Sequence, residues 1–139
     1  MAAIGKLHAR LADLGHPNIR DSYGCVFGFI DIDDGSRLTE LADASGLTKQ
    51  AVGEAVTELE KLGYVVRLPD PGDGRAKIIK LTDLGLDALI KGRRVFAEIE
   101  ADWAEQLGPE LLASFRQAAT RIAALESERA AQARGRRAA

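Results

Sequence analysis

Residues 38–82 read LTELADASGLTKQAVGEAVTELEKLGYVVRLPDPGDGRAKIIKLT, and the order of residue types in this stretch decides the fold. Ala42, Gly46 and Val52 stand where two crossing helices need a small contact residue, a turn glycine and an apolar anchor. Gly46 can take the left-handed conformation of a sharp helix-to-helix turn. Leu41, Leu47, Val52 and Ala55 supply the apolar contacts of the pair. YVVRL, PDPGDGRA and KIIKLT then read as strand, charged turn and strand. A helix able to lie in a major groove, followed by a hairpin able to reach the neighbouring minor groove, makes a winged helix-turn-helix.

Working outward, Thr39 is placed to cap a helix over about 39–45, and Thr48 to cap one over about 48–62. Val52, Val56, Leu59 and Leu62 point the second of these inward, and Gly63 stops it. Upstream, Ile4, Leu7, Leu11 and Leu14 form one apolar stripe over 3–15, ended by Gly15 and Pro17. Residues 20–30 predict a second, largely apolar helix, and DIDDGSR a turn from which Ser36 and Arg37 can add a third strand. Downstream, Thr82 caps a long helix to about Leu107, which Gly108-Pro109 breaks. Leu111, Leu112, Phe115, Ala118, Ala119, Ile122 and Leu125 then recur mostly three or four apart along a last helix. These helices carry more apolar surface than a small domain needs for its own core, which predicts a partner subunit. Ile4, Leu7, Leu111, Phe115, Ile122 and Leu125 are the expected dimer contacts.

The fold expected is mainly α with a small β-wing: a winged helix-turn-helix of six helices that dimerises through its N- and C-terminal helices. One domain covers 1–139, with a DNA-binding lobe over about 20–82 and dimerisation helices over about 1–15 and 83–131. A flexible tail is expected over 132–139.

The central stretch resembles the MarR family (multiple antibiotic resistance regulators). The family's wing pattern D-P-x-D-x-R-x-x-x-I-x-L-T-x-x-G is matched by Asp70, Pro71, Asp73, Arg75, Ile79, Leu81, Thr82 and Gly85. LTELA and LTKQAVGEAVTELEKLGYV match its two central helices and first wing strand, and flanking helices extend the likeness over nearly the whole chain. Many members carry two consecutive arginines after the wing aspartate; here the first is Gly74, leaving Arg75 as the only arginine at the tip. The resemblance implies a homodimeric regulator, most often a repressor, on a pseudo-palindromic operator. It also implies a small aromatic or phenolic effector between the first, second and fifth helices, near His8, Leu11, His16, Tyr23 and Phe27.

Composition agrees with a globular domain. The chain has 139 residues, 46% of them hydrophobic and 29% charged, enough for a core without metal or disulfides. Few aromatics argue against stacking of single-stranded bases. The lone Cys25 has no partner for an internal disulfide and no adjacent Lys or Arg, so a core thiol in a reducing cytoplasm is expected. No leader or membrane-spanning run is read in the sequence. The net charge of −2 is unevenly placed. Arg67, Arg75, Lys77 and Lys80 outnumber Asp70 and Asp73 in the wing, whereas carboxylates dominate residues 83–110. DNA would therefore meet the wing and the helix tips.

Arg37, Thr48, Lys49, Gln50, Gly53, Glu54, Thr57, Asp73, Arg75 and Lys77 are the expected DNA contacts. Gln can bind adenine bidentately, Lys can reach guanine or a phosphate, and Thr can touch a thymine methyl. Glu54 can accept from cytosine N4 or hold Gln50 one turn earlier. Asp73 can bond backbone amides and place Arg75, whose guanidinium suits phosphates and the narrow minor groove. No metal or cofactor is expected: His8 and His16 lack ligand spacing, and Asp31, Asp33 and Asp34 lack the closing glutamate of a calcium loop. Two other classes compete: a winged helix serving only protein contacts, and an enzyme, for which no catalytic motif is present.

Overall fold

The computed structural model describes residues 2–138; the side chains of residues 1–4, 21, 22, 25, 127, 130, 131 and 133–139 lie outside the described set. The expectations for Cys25 and for Ile4 concern side chains of that group. Among the described residues, six helices and three strands run in the order α1 (Ala2–Asp13), α2 (Asp21–Phe27), β1 (Ser36–Arg37), α3 (Leu38–Ser45), α4 (Lys49–Lys61), β2 (Val65–Asp70), β3 (Asp73–Leu81), α5 (Asp83–Leu107) and α6 (Pro109–Ala138). They fall into two compact units, Met1–Ala97 and Glu98–Ala139.

The first unit is built around α4. Its apolar residues recur at helical spacing, so Val52, Val56 and Leu59 lose all contact with solvent and Ala55 nearly all. Val52, Val56 and Leu59 each contribute about 1.5–3 kcal/mol by leaving water. Leu41 and Ala42 of α3 enter the same cluster, joined by Val26, Phe27, Tyr64, Val65 and Ile79. Gly46 connects α3 to α4 at φ 71°, the left-handed turn that the sequence predicts. Thr48 caps α4 by accepting from the amide of Ala51 at 3.2 Å. β1, β3 and β2 form an antiparallel sheet in that order, with Ser36 opposite Ile79 and Arg67 opposite Ile79 from the other side.

The structure departs from the sequence reading in several places. α3 starts at Leu38, and its cap is Arg37 rather than Thr39; the Glu40 carboxylate accepts from the Arg37 amide at 2.8 Å. A carboxylate at this site also favours the positive end of the helix. α2 stops at Phe27, short of residue 30, with Gly28 as its C-cap, yet Ile30 remains buried. Leu14 and Leu47, expected as apolar contacts, are exposed. Leu14 follows the last residue of α1 and Leu47 sits in the turn between helices, so neither is held on a buried face. Leu11 of α1 and Ala88 and Leu89 of α5 belong to the same core as α4, so the first unit extends into α5. α6 runs to Ala138.

Gly85 fixes the start of α5. A Cβ on it would lie 2.0 Å from the carbonyl oxygen of Tyr64, so only glycine allows the helix to pass this close to β2. Thr82 reinforces the junction, donating its amide to Tyr64 O at 3.1 Å and accepting from the Gly85 amide at 3.1 Å.

In the second unit, Gly108 (φ 82°) and Pro109 make the turn between the end of α5 and α6. Ile99 and Leu112 are its buried side chains, and Arg116 donates to Glu100 at 2.8 Å. Leu111, Phe115, Ile122 and Leu125 stay exposed, Phe115 by 64%. No described helix is long and apolar enough to cross a membrane.

Candidate nucleic-acid interface

The outward face of α4 presents Lys49, Gln50 and Glu54 to solvent, with Gly53 and Thr57 half-buried between them. Gln50, Gly53, Glu54, Thr57 and Glu58 line one open groove along the helix. Gln50 Nε2 donates to Glu54 Oε1 at 3.1 Å, which is the intrahelical pairing allowed by their spacing. The Thr57 hydroxyl donates to Gly53 O at 2.8 Å and accepts from Arg67 Nη2 at 3.0 Å. Its oxygen is therefore engaged within the protein, and the methyl group is what remains for a partner.

Arg67 was not among the residues expected at the site. It reaches from β2 to α4, where it forms an ion pair with Glu60, bonds Thr57, and donates to Gly53 O at 3.4 Å. Its amide also donates to Glu60 Oε1 at 3.2 Å. One side chain thereby ties the wing's first strand to three positions of α4. A basic residue within a strand after a helix carries no local signal that singles it out.

At the wing, Asp73 Oδ1 accepts from the Arg75 amide at 3.0 Å, the backbone bond expected of it. Arg75 and Lys77 are exposed and, among the described residues, form no side-chain ion pair; the same holds for Lys49. Lys80, of opposite strand parity to Lys77, instead donates to Asp33 O at 2.9 Å. Arg37 is held by Asp70, with Nε donating to Oδ2 at 2.7 Å and Nη2 paired to the same oxygen. Asp70 is buried and also accepts from the Gly72 amide at 2.8 Å. That amide, followed by Arg37, holds the carboxyl below the usual carboxylate range. Arg37 thus braces the tip end of β2, and on this face, among the described residues, the cations outside ion pairs are Lys49, Arg75 and Lys77. The Asp31 carboxylate caps its own turn, accepting from the amides of Asp33 and Asp34 at 2.9 and 2.8 Å. Among the described residues no His, Cys, Asp and Glu side chains gather as a metal site.

Away from this face, His8, Leu11 and Phe27 line an apolar cleft of about 360 Å³ together with Leu89, Arg93 and Phe96. His16 and Tyr23 lie elsewhere. His16 is buried, with Nε2 2.9 Å from Asp87 Oδ2 and Nδ1 3.2 Å from the Tyr64 hydroxyl. Asp87 accepts, so Nε2 carries hydrogen, and the Nε2–H tautomer leaves Nδ1 to accept from the Tyr64 hydroxyl. Lys91, then His16, hold the Asp87 carboxyl below its usual value, while burial pushes the Tyr64 hydroxyl up. Tyr23 packs beside Arg20, Leu47 and Ala51, against the other flank of α4.

The order of helices, the glycine turn and the three-stranded sheet define a winged helix-turn-helix protein. The family model described as MarR family matches residues 19–76, the lobe that holds α2 to the wing tip. Over that lobe the chain is similar to the MarR family. Solved structures share the fold. The repressor CouR bound to a 23-mer DNA duplex is 24% identical with a TM-score of 0.74, covering 88% of this chain and 84% of its own. CouR from Rhodococcus jostii RHA1 bound to p-coumaroyl-CoA gives 24% and 0.70 over the same shares. Wild-type MarR from E. coli, in its apo form, is 20% identical with a TM-score of 0.69 over 87% of this chain and 88% of that one. No curated protein is close enough in sequence to count as a relative.

Proposed function

We propose that this protein is a MarR-family transcriptional regulator that binds a pseudo-palindromic operator as a homodimer and represses until a small effector releases it. The observation that carries the proposal is the pairing of an exposed polar row on α4, Lys49, Gln50 and Glu54, with unpaired cations at the adjacent wing, Arg75 and Lys77. Helix in the major groove and arginine at the minor groove is the arrangement such side chains suit. The DNA-bound CouR structure of the same fold supports it. Thr48 serves as cap and Asp73 as wing brace, while Arg37 acts through Asp70.

The exposed row Leu111, Phe115, Ile122 and Leu125 pairs with its copy across a two-fold axis, because a face this apolar is unfavourable in water. A dimer places two recognition helices about one turn of B-DNA apart, about 34–36 Å. The cleft at His8, Leu11 and Phe27 is of a size that takes a small aromatic molecule, and a CouR structure holds p-coumaroyl-CoA. A ligand that favours one spacing of the recognition helices needs a coupling of only about 1–3 kcal/mol to alter DNA affinity about 5–150-fold.

The test is recovery of sheared genomic DNA on the purified protein, followed by sequencing. Enrichment of a motif with two inverted half-sites is expected. Uniform recovery would leave the winged helix as a protein-contact module.

A further inference from the structure

We infer that Glu54 sets the base preference of the recognition helix, by holding Gln50 in the orientation that reads adenine and by requiring an amino group on the neighbouring base. The inference rests on the DNA-binding proposal above. Gln50 Nε2 donates to Glu54 Oε1 at 3.1 Å. The reverse orientation would set the amide oxygen against a carboxylate oxygen, two acceptors with no hydrogen between them. Glu54 thereby fixes which end of the amide is which. One Nε2 hydrogen is engaged, which leaves the exposed amide a second hydrogen and Oε1 for a partner. That donor and acceptor match adenine, whose N7 accepts and whose N6 donates in the major groove. Guanine presents N7 and O6, both acceptors, so Oε1 would meet O6 without a hydrogen.

The second consequence concerns charge. Among the described residues no cation forms an ion pair with Glu54: Lys61 pairs with Glu58 at 2.7 Å and Arg67 with Glu60. The carboxylate is exposed on the face expected to meet DNA, beside Gly53, which adds no side chain to hold the duplex away. Its free oxygen only accepts, so cytosine N4 or adenine N6 satisfies it, whereas guanine O6, thymine O4 or a phosphate repels it. Glu54 therefore acts on specificity largely by rejecting wrong sequences.

Selection from a random duplex library by wild type, Glu54→Ala and Glu54→Gln, each followed by sequencing and titration, tests this. The wild type should enrich a half-site containing an adenine next to an adenine or cytosine, preferring that adenine to guanine by about 5–150-fold. Glu54→Ala should keep the half-site but lose most of the adenine preference. Both variants should bind random duplex several-fold more tightly than wild type. A wild-type motif without that adenine, or an unchanged preference in Glu54→Ala, overturns the inference and leaves DNA binding standing. A wild-type pool with no motif overturns the DNA-binding proposal itself, and this inference with it.

Discussion

Replacing Arg67 by methionine keeps the length of the side chain and removes everything that fastens β2 to α4. The ion pair with Glu60 is half-exposed on both sides, so by itself it contributes about 0–1 kcal/mol. The bond to the Thr57 hydroxyl adds about 0.5–1.5 kcal/mol, and the long contact to Gly53 O less, since Thr57 continues to satisfy that carbonyl. The expected loss of stability is therefore about 1–2 kcal/mol, measured by urea unfolding followed by circular dichroism. DNA affinity should fall separately. A wing no longer held to the recognition helix must be ordered on binding, at a cost of about 0.5–1.5 kcal/mol per side chain immobilised, or roughly a 2- to 12-fold weaker complex. Arg67→Lys should rescue the Glu60 pairing without rescuing DNA affinity, because an ammonium cannot span Glu60 and Thr57 as a planar fork does. Unchanged affinity in Arg67→Met, with stability lowered as expected, would refute the view that this arginine positions the wing.

Gly85→Ala puts a methyl group 2.0 Å from Tyr64 O, and should lower stability by about 1–3 kcal/mol in thermal unfolding; parental stability would show that the α5–β2 contact is looser than described. Asp70 has a folded pKa below its unfolded value, so its contribution is complete above about pH 4 and is lost as pH falls through the folded value. Asp70→Asn should thus be less stable than the parent at pH 7, with the gap narrowing in acid unfolding below about pH 4. Ile122→Asp combined with Leu125→Asp should convert a dimer of about 30 kDa into a 14.9 kDa monomer in light scattering. A parent already monomeric at micromolar concentration contradicts the dimer proposal.

The helix pair and the wing were legible because their signals are local. Gly46 at φ 71°, the Thr48 cap and the buried Val52, Val56 and Leu59 follow from residue type and spacing alone. What the sequence hid is non-local. His16 meets Tyr64 and Asp87 from 48 and 71 residues away, and Arg37 meets Asp70 from 33. Side chains that looked available for a ligand or for DNA are engaged by partners that no periodicity reveals. Arg67 reads in the sequence only as one of the wing's charges, and its tie to α4 is hidden for the same reason. Gly85 was recognised as part of a wing pattern, and its cause became visible only with the Tyr64 carbonyl in place. The apolar row of α6 was legible as a stripe, and Leu111, Phe115, Ile122 and Leu125 are exposed along it.

The central claim is that α4 and the wing tip together hold a specific duplex. The most direct measurement is an anisotropy titration of the genomically recovered duplex and a scrambled duplex of equal length, across a salt series, with wild type and Arg75→Ala. Wild type should bind the recovered duplex more tightly at every salt concentration. Arg75→Ala should weaken both complexes and flatten the slope of log affinity against log salt by about one, as loss of a single phosphate contact requires. Equal affinity of wild type for the two duplexes, with an unchanged slope in the variant, would contradict the account.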